Sequence, residues 1–297
     1  MKPEILTVVV TYNAMKWLDR CLGSLRESEV SADVIVIDNG SVDGTCEYVA
    51  ANYPEVYLVR SEKNLGFGKA NNLGFRYALE HNYRYVYLMN QDAWIYGDTF
   101  EVLTSAMESD RSIGILSPMQ MTASGDRLDM RFERKCPAKA IEDLFGAVTD
   151  GKVYDTKFVM AAHWMVSREC LQKVGGFSPA FPHYGEDDNF IHRARLKGYR
   201  VCVHSGAKAV HDREMRPQSK EASMRLKCVA SVVKISNPLN CLWFRLMFQP
   251  VELISISLRY RSWTVFRYIS TLISSYRRLV RLRRESFADG AFLQSFE

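Results

Sequence analysis

The sequence predicts an α/β protein: a mostly parallel sheet flanked by helices, followed by a C-terminal helical extension. Three observations carry that expectation. Runs rich in β-branched residues alternate with helix-periodic segments through residues 1–117. Those runs are apolar on both faces, as strands are when helices cover both sides of a parallel sheet. Polar clusters follow the ends of the runs, where sheets of this kind gather their ligands.

Taken in order, "ILTVVVTYN" (5–13) is the first strand, and "AMKWLDRCLGSLRES" (14–28) places Trp17, Leu18, Cys21, Leu22 and Leu25 at helical spacing. "DVIVID" (33–38) is a second buried strand, "GTCEYVAANY" (44–53) a short helix after a glycine, and "VYLVR" (56–60) a third strand. "GFGKANNLGFRYALEHN" (66–82) reads as loop then helix, and "YVYLMN" (85–90) as a fourth strand. "DTFEVLTSAMES" (98–109) is a helix capped by Asp98 or Thr99, followed by the strand "IGILSP" (113–118). From about residue 118 the pattern changes. "MQMTASGDRLDMRFERK" (119–135) predicts a hairpin turning at Ser124-Gly125-Asp126, and residues 135–155 predict an irregular loop. "FVMAAHWMVSRECLQKVGGF" (158–177) gives a strand, a helix and a glycine stop. "EDDNFIHRARLKGY" (186–199) is a helix opened by acids and closed by Gly198, and "RVCVHSGAKAVHD" (200–212) supplies further strands. Residues 220–284 read as mostly helical.

Composition narrows the class. Of 297 residues, 47% are hydrophobic and 25% charged, which is ordinary for a soluble globular chain. The apolar run near the first residue is too short for a secretory signal, and no stretch is long and apolar enough to predict a spanning helix. The seven cysteines are scattered, with no Cys-x-x-Cys pair, and read as reduced thiols rather than disulfides or zinc ligands. The net charge of +5 is local: residues 253–284 hold eight arginines and no acid, so the rest of the chain is near neutral or acidic. That distribution argues against a nucleic-acid partner and for one basic surface.

Four clusters offer chemistry. "VIDNGSVDGT" (36–45) is either a tight turn with an N-cap or a loop in which Asp38 accepts hydrogen bonds from a nucleobase or ribose. "NLGFGKANNLGF" (64–75) lacks the spacing of a dinucleotide fingerprint or a P-loop, yet its glycines and asparagines suit a cover over a phosphate or base. In "YLMNQDAW" (87–94), Asp92 either caps a turn or offers a hard oxygen to Mg²⁺ or Mn²⁺, ions that bind through one or two carboxylates plus substrate phosphates. In "HYGEDDNFIHRARLKGY" (183–199), three adjacent acids either complement a helix dipole or, by mutual repulsion, raise a pKa and make a general base. Arg193 and Arg195 are candidates to counter that charge or hold a phosphate, and His192 reads as structural. His211, at the end of "AVHD", is a plausible further Mn²⁺ ligand.

In their order and spacing, "VVVTYN", "VIDNGSVDGT", "NLGFGKANNLGF", "LMNQDA", "VGGF", "GEDDNFIHRARLKGYRV" and "AVHD" resemble the family 2 glycosyltransferases, especially their rhamnosyltransferase-like branch, over roughly residues 5–212. The resemblance implies a GT-A fold with a Rossmann-like sheet. It implies a catalytic domain over 1–219, with a nucleotide-sugar half (1–117) and an acceptor half (118–219), and a basic helical extension over 220–297. It implies that Thr11, Tyr12, Asn13, Asp38 and Asn39 meet the nucleoside, and that Asn64, Gly66, Asn71, Asn90 and Gln91 line the donor side. Asp92 matches the second aspartate of the family's Asp-x-Asp motif, with Asn90 where the first would stand. Asp92 and His211 become metal ligands for Mn²⁺ or Mg²⁺, Asp187 the base with Glu186 beside it, and Trp164, His183 and Asp188 the acceptor side. The implied reaction is an inverting, metal-dependent transfer from a UDP- or dTDP-sugar to a glycan or polyprenyl-linked acceptor in cell-surface polysaccharide synthesis.

On a helix, Val265, Ile269, Leu272, Ile273, Tyr276 and Val280 share one face, opposite Arg267, Arg278 and Arg281. That segment either docks on the catalytic domain or attaches a cytoplasmic protein to the anionic inner face of the inner membrane. Two competing classes remain. A catalytically inactive nucleotide-sugar-binding or assembly subunit is suggested by Asn90, and a nucleotidyltransferase is disfavoured because "VVVTYNAMKW" lacks a basic, glycine-rich loop.

Overall fold

The computed structural model describes residues 3–146, 151–213, 220–260 and 264–293. Arg261 of the basic stretch, residues 147–150 of the expected loop and the domain boundary at 219 lie outside the described residues.

The N-terminal half alternates β1 (Ile5–Thr11), α1 (Leu18–Arg26), β2 (Ala32–Asp38), α2 (Thr45–Asn52), β3 (Tyr57–Arg60), α3 (Phe67–Glu80) and β4 (Tyr85–Asn90). A short β5 (Ala93–Ile95), α4 (Thr99–Ser109) and β6 (Ile113–Met121) follow. Then come α5 (Met130–Glu133), α6 (Ala138–Phe145), β7 (Val153–Asp155), β8 (His163–Ser167), α7 (Arg168–Val174), α8 (Glu186–Leu196) and β9 (Arg200–His211). Four helices end the chain: α9 (Lys220–Ser236), α10 (Leu242–Tyr260), α11 (Thr264–Ser274) and α12 (Tyr276–Glu285).

The strands form one sheet in the order β3-β2-β1-β4-β8-β6-β9-β5, with β7 paired to β9. Its first four strands are parallel. Beyond them β8 runs antiparallel to both β4 and β6, so the sheet is mixed. In the parallel half Thr11 lies opposite Asp38, and Val10 opposite Asn90. Three strand ends therefore stand side by side at one edge of the sheet. Helices cover both faces. Phe75, Trp164, Phe177 and Phe190 centre the core on one face, and Leu18, Leu22, Phe100 and Leu103 help fill the core on the other. The C-terminal helices build a third cluster around Ile235, Leu253, Val265, Leu272, Leu279 and Leu282.

Several local expectations are corrected. Asp98 stands at the N-cap of α4 but makes no side-chain cap bond, and Thr99, already in the helix, donates its hydroxyl to Lys208 O on β9 at 2.7 Å. The turn at 124–126 forms, but the expected return strand shrinks to one bridge between Met121 and Leu128. Asp129 there accepts from the amides of Arg131 and Phe132 and starts α5 instead. The expected loop at 135–155 contains α6, which Pro137 leads in, and β7 on the sheet. In the C-terminal segment Ser275 separates α11 from α12, so one continuous face cannot run through 265–280. Val265 and Leu272 are buried in the third core, whereas Ile273 is half exposed.

Candidate active site

The outer edge of β1, β2 and β4 is held by a hydrogen-bond lattice centred on Asp38. Its carboxylate accepts from the Thr11 hydroxyl at 2.8 Å, the Ser41 amide at 2.8 Å, the Gly40 amide at 3.1 Å and the Ser41 hydroxyl. Burial would raise its pKa, but these donors outweigh burial and hold it below the usual carboxylate range. Asn13, at φ 51°, donates its amide to the Ser41 hydroxyl and accepts from the Val42 amide. Gln91 pairs with both backbone groups of Tyr12, and Asn39 accepts from the Leu65 amide. Asn64 accepts from the Gly66 amide, and buried Asn71 donates to Phe67 O within its own helix. Thr11, Asp38, Asn39 and Asn71 are thus buried and spend their polar atoms on the protein. Of the residues expected to meet the nucleoside, Tyr12 presents the most exposed side chain, at 49%.

Beside this edge lies a cleft of about 750 Å³. It gathers Asn90 and His211 from β4 and β9 and Asp92 from the turn between β4 and β5, with His183 before α8 and Glu186, Asp187 and Asp188 at its start. Residues far apart in the chain, each expected to act, share one cavity. Trp164 does not join them: expected on the acceptor side, it is fully buried in the core instead, stacked on Phe177 and tilted against Phe190. Arg193 and Arg195 also face away. Arg193 is buried and donates to Val174 O and Gly176 O, each at 2.6 Å, while Arg195 donates to Thr156 O.

The acids of α8 carry the electrostatics. Its cap, Gly185, adopts φ 89°, and a Cβ there would meet Phe181 and Val233, so the chain can enter the helix only without a side chain at that point. Burial first, and then the charge of Glu186, push the Asp187 carboxyl well up into the neutral range. Burial and Asp188 likewise raise Glu186, whose Oε2 has no partner. Asp187 Oδ2 accepts from the Ala161 amide at 3.1 Å, which fixes its orientation.

Across the cleft, Asp92 Oδ1 lies 3.5 Å from His211 Nε2, and Asn90 Nδ2 lies 3.4 Å from the same nitrogen. Burial would raise the Asp92 pKa, but His211, a backbone amide and the Arg213 charge bring it below its ordinary value. An ionised carboxylate beside an imidazole fits a hard or borderline divalent cation, provided that Nε2 is free of its proton. Among the described residues no third His, Cys, Asp or Glu completes a protein cage. Such a cation would take its other ligands from a diphosphate and water.

Several lining residues escape sequence reasoning: Arg131, Arg134, Lys135, Tyr184, Arg213 and the apolar wall Leu226, Val229, Ala230 and Val233 of α9. The basic trio lies inside a stretch whose signal is a hairpin arm. Arg213 directly follows "AVHD" and is the one with a signal to find it.

Comparisons with known proteins give the family and the fold. A family model described as "Glycosyl transferase family 2" matches residues 7–175. The chain is 30% identical over 135 residues to an undecaprenyl-phosphate mannosyltransferase of Micrococcus luteus, covering 44% of this chain and 54% of that protein. It is 27% identical over 179 residues to the dTDP-rhamnosyl transferase RfbF of Shigella flexneri, covering 59% and 57%. The chain thus spans somewhat more than half the length of these curated relatives. In fold it resembles the mannosyltransferase PcManGT from Pyrobaculum calidifontis, solved in complex with GDP-Man and Mn²⁺, with TM-score 0.56 and 18% identity over 96% of this chain and 85% of that one. The fold is GT-A.

Proposed function

The chain belongs to glycosyl transferase family 2, and from that premise we propose that it moves a sugar from a nucleotide-diphosphate donor to an acceptor hydroxyl with inversion. The observation that carries this reading is the single cleft shared by Asp187 with Asp92 and His211. Asp187 takes the proton from the acceptor hydroxyl as that oxygen attacks the anomeric carbon from the face opposite the diphosphate. A carboxylate whose pKa is raised toward neutrality is well matched to that proton transfer. The Ala161 amide aims Asp187, and neighbouring Glu186 keeps its basicity high. Asp92 and His211 would hold Mn²⁺ or Mg²⁺, which when bound supplies Lewis acidity toward the leaving diphosphate. The Asp38 lattice shapes the nucleoside loop, and Tyr12 is its exposed contact. His183 and Asp188, which line the same cleft, would meet the acceptor. Donors of the UDP- or dTDP-sugar class and a glycan or polyprenyl-linked acceptor of cell-surface polysaccharide synthesis belong to this reading; of the relatives above, the dTDP-rhamnosyl transferase supports a dTDP-sugar and the undecaprenyl-phosphate mannosyltransferase a polyprenyl-linked acceptor.

Asp187→Asn tests the reading. Transfer should fall by roughly 10²–10⁴-fold while donor affinity stays near wild type. A thermal-shift panel of UDP-, dTDP- and GDP-sugars, run with Mn²⁺ and with EDTA, should identify the donor and show tighter binding with the ion. Wild-type turnover by the variant would reassign the base, and equal affinities with and without the ion would remove the metal role. Asn90 in place of a carboxylate motivates a second reading, an inactive donor-binding subunit. Donor binding with neither hydrolysis nor transfer in Mn²⁺ would favour it.

A further inference from the structure

Helix α10 leaves a large apolar stripe in solvent. Trp243 and Leu258 are each 75% exposed, Met247 69% and Val251 58%, with Phe244, Phe248 and Ile254 alongside them. Residues 243, 247, 251, 254 and 258 recur at helical spacing and so share a face. Of its described charges, two have partners of their own. Glu252 pairs with Lys234 at 2.5 Å, and the Arg245 guanidinium lies over the Phe244 ring at 5.6 Å. The opposite face, through Leu246, Leu253 and Ile256, already packs in the third core. Contiguous apolar surface on this scale marks an interaction site in a soluble chain.

The surroundings indicate what covers it. Helices α11 and α12 expose Arg267, Arg277 and Arg284, and the sequence from 253 to 284 contains no acid. A second copy docking face to face would bring two arginine-rich surfaces together, whereas an anionic lipid surface complements them. Tryptophan and phenylalanine beside arginine is the composition of a membrane interface. On its other side α10 packs against α9, whose Leu226, Val229, Ala230 and Val233 wall the cleft.

We propose that the protein docks on an anionic lipid surface through the α10 stripe, with the arginines of α11 and α12 among the headgroups. A lipid-carried acceptor would then approach Asp187 along the α9 wall. This moves the membrane contact from the expected 265–280 face, part of which is core, to residues 243–258. The purpose of the contact rests on the transferase reading, but its test needs neither donor nor acceptor.

The full chain is mixed with vesicles of phosphatidylcholine, or of equimolar phosphatidylcholine and phosphatidylglycerol, and floated. Wild type should rise with the anionic vesicles, and Trp243→Glu with Met247→Glu should reduce binding by at least about tenfold. Unchanged circular dichroism and melting temperature would show the double variant folded, as expected for exposed side chains. Equal flotation of wild type and variant would overturn the proposal, as would wild type staying with the lipid-free fraction. A wild-type dimer by light scattering, made monomeric by the variant and indifferent to vesicles, would assign the stripe to a second copy. Donor binding measured on the same variant reports on the transferase reading separately.

Discussion

Asp38 is buried and Asp187 lines the cleft, and their surroundings push the two carboxyls in opposite directions. Asp38 accepts from two hydroxyls and two amides and is held ionised. Asp187 has one amide and an acidic neighbour, and is pushed toward the neutral acid. The sign of the stability effect follows. A carboxyl with a raised folded-state pKa contributes stability that is present below the unfolded value of about 4 and is lost as pH rises through the raised value. Asp187→Asn, which cannot ionise, should therefore melt higher than wild type above neutrality, with the gap closing as the pH falls toward 5. Melting curves across that range check it, and superimposable wild-type and variant curves at every pH would show that Asp187 carries no such cost. The candidate base is thus legible in the sequence as the middle of three acids. Its environment is not, because the Ala161 amide comes from a segment 26 residues away.

Elements were more legible than their neighbours. Hydrophobic periodicity identifies β1 to β4 and α1 to α4 because it depends on residues within a few positions of one another. The insertion of β8 antiparallel between β4 and β6 leaves no such trace, since a fully covered strand looks alike in either direction. Glycines mislead for the same reason. Gly74 reads as part of a substrate loop, but it lies within α3, where a Cβ would sit 2.5 and 2.6 Å from the two methyls of Val8 on β1. Its role is close approach of helix to sheet. Gly74→Ala gains about 1 kcal/mol of helix propensity and loses more to overpacking, roughly 1–3 kcal/mol, because Val8 is buried and cannot withdraw. The expected result is a lower urea midpoint with an unchanged slope. A midpoint above wild type would mean that α3 can move off β1 freely.

At the scale of the whole molecule, the segment after α12 packs back on α3, α7 and α8, and the sequence carries no sign of it. Gly176, in the "VGGF" motif, donates its amide to Ala291 O at 2.7 Å. Asn72 of α3 holds Phe177 by accepting from its amide at 2.7 Å and donating to its carbonyl at 3.0 Å, and reaches Phe292 O across 220 residues of sequence. Buried Arg193, which donates to the last carbonyl of α7 and to Gly176 O beyond it, holds its guanidinium 5.1 Å from the centre of the Phe292 ring. Asp289 ties the same tail to Lys173 and Lys197. The terminal segment after α12 therefore acts as a strap over α7 and α8, the elements that carry "VGGF" and the acidic triplet. Ending the chain at Glu285 removes the partners of the Gly176 amide and of one Asn72 donor and opens them and Arg193 to water. At about 0.5–1.5 kcal/mol net for each of those two hydrogen bonds, the loss should be roughly 1–3 kcal/mol, to which the lost apolar packing of Leu293 adds. Because Arg193 and Asn72 anchor the segment that leads into α8, thermal unfolding followed by circular dichroism should show the loss as a lower melting temperature, and donor affinity should fall with it. A truncated chain that melts with the full-length protein would show that α7 and α8 hold together without the strap, and that Asn72 and Arg193 suffice to fix the acid cluster from within the core.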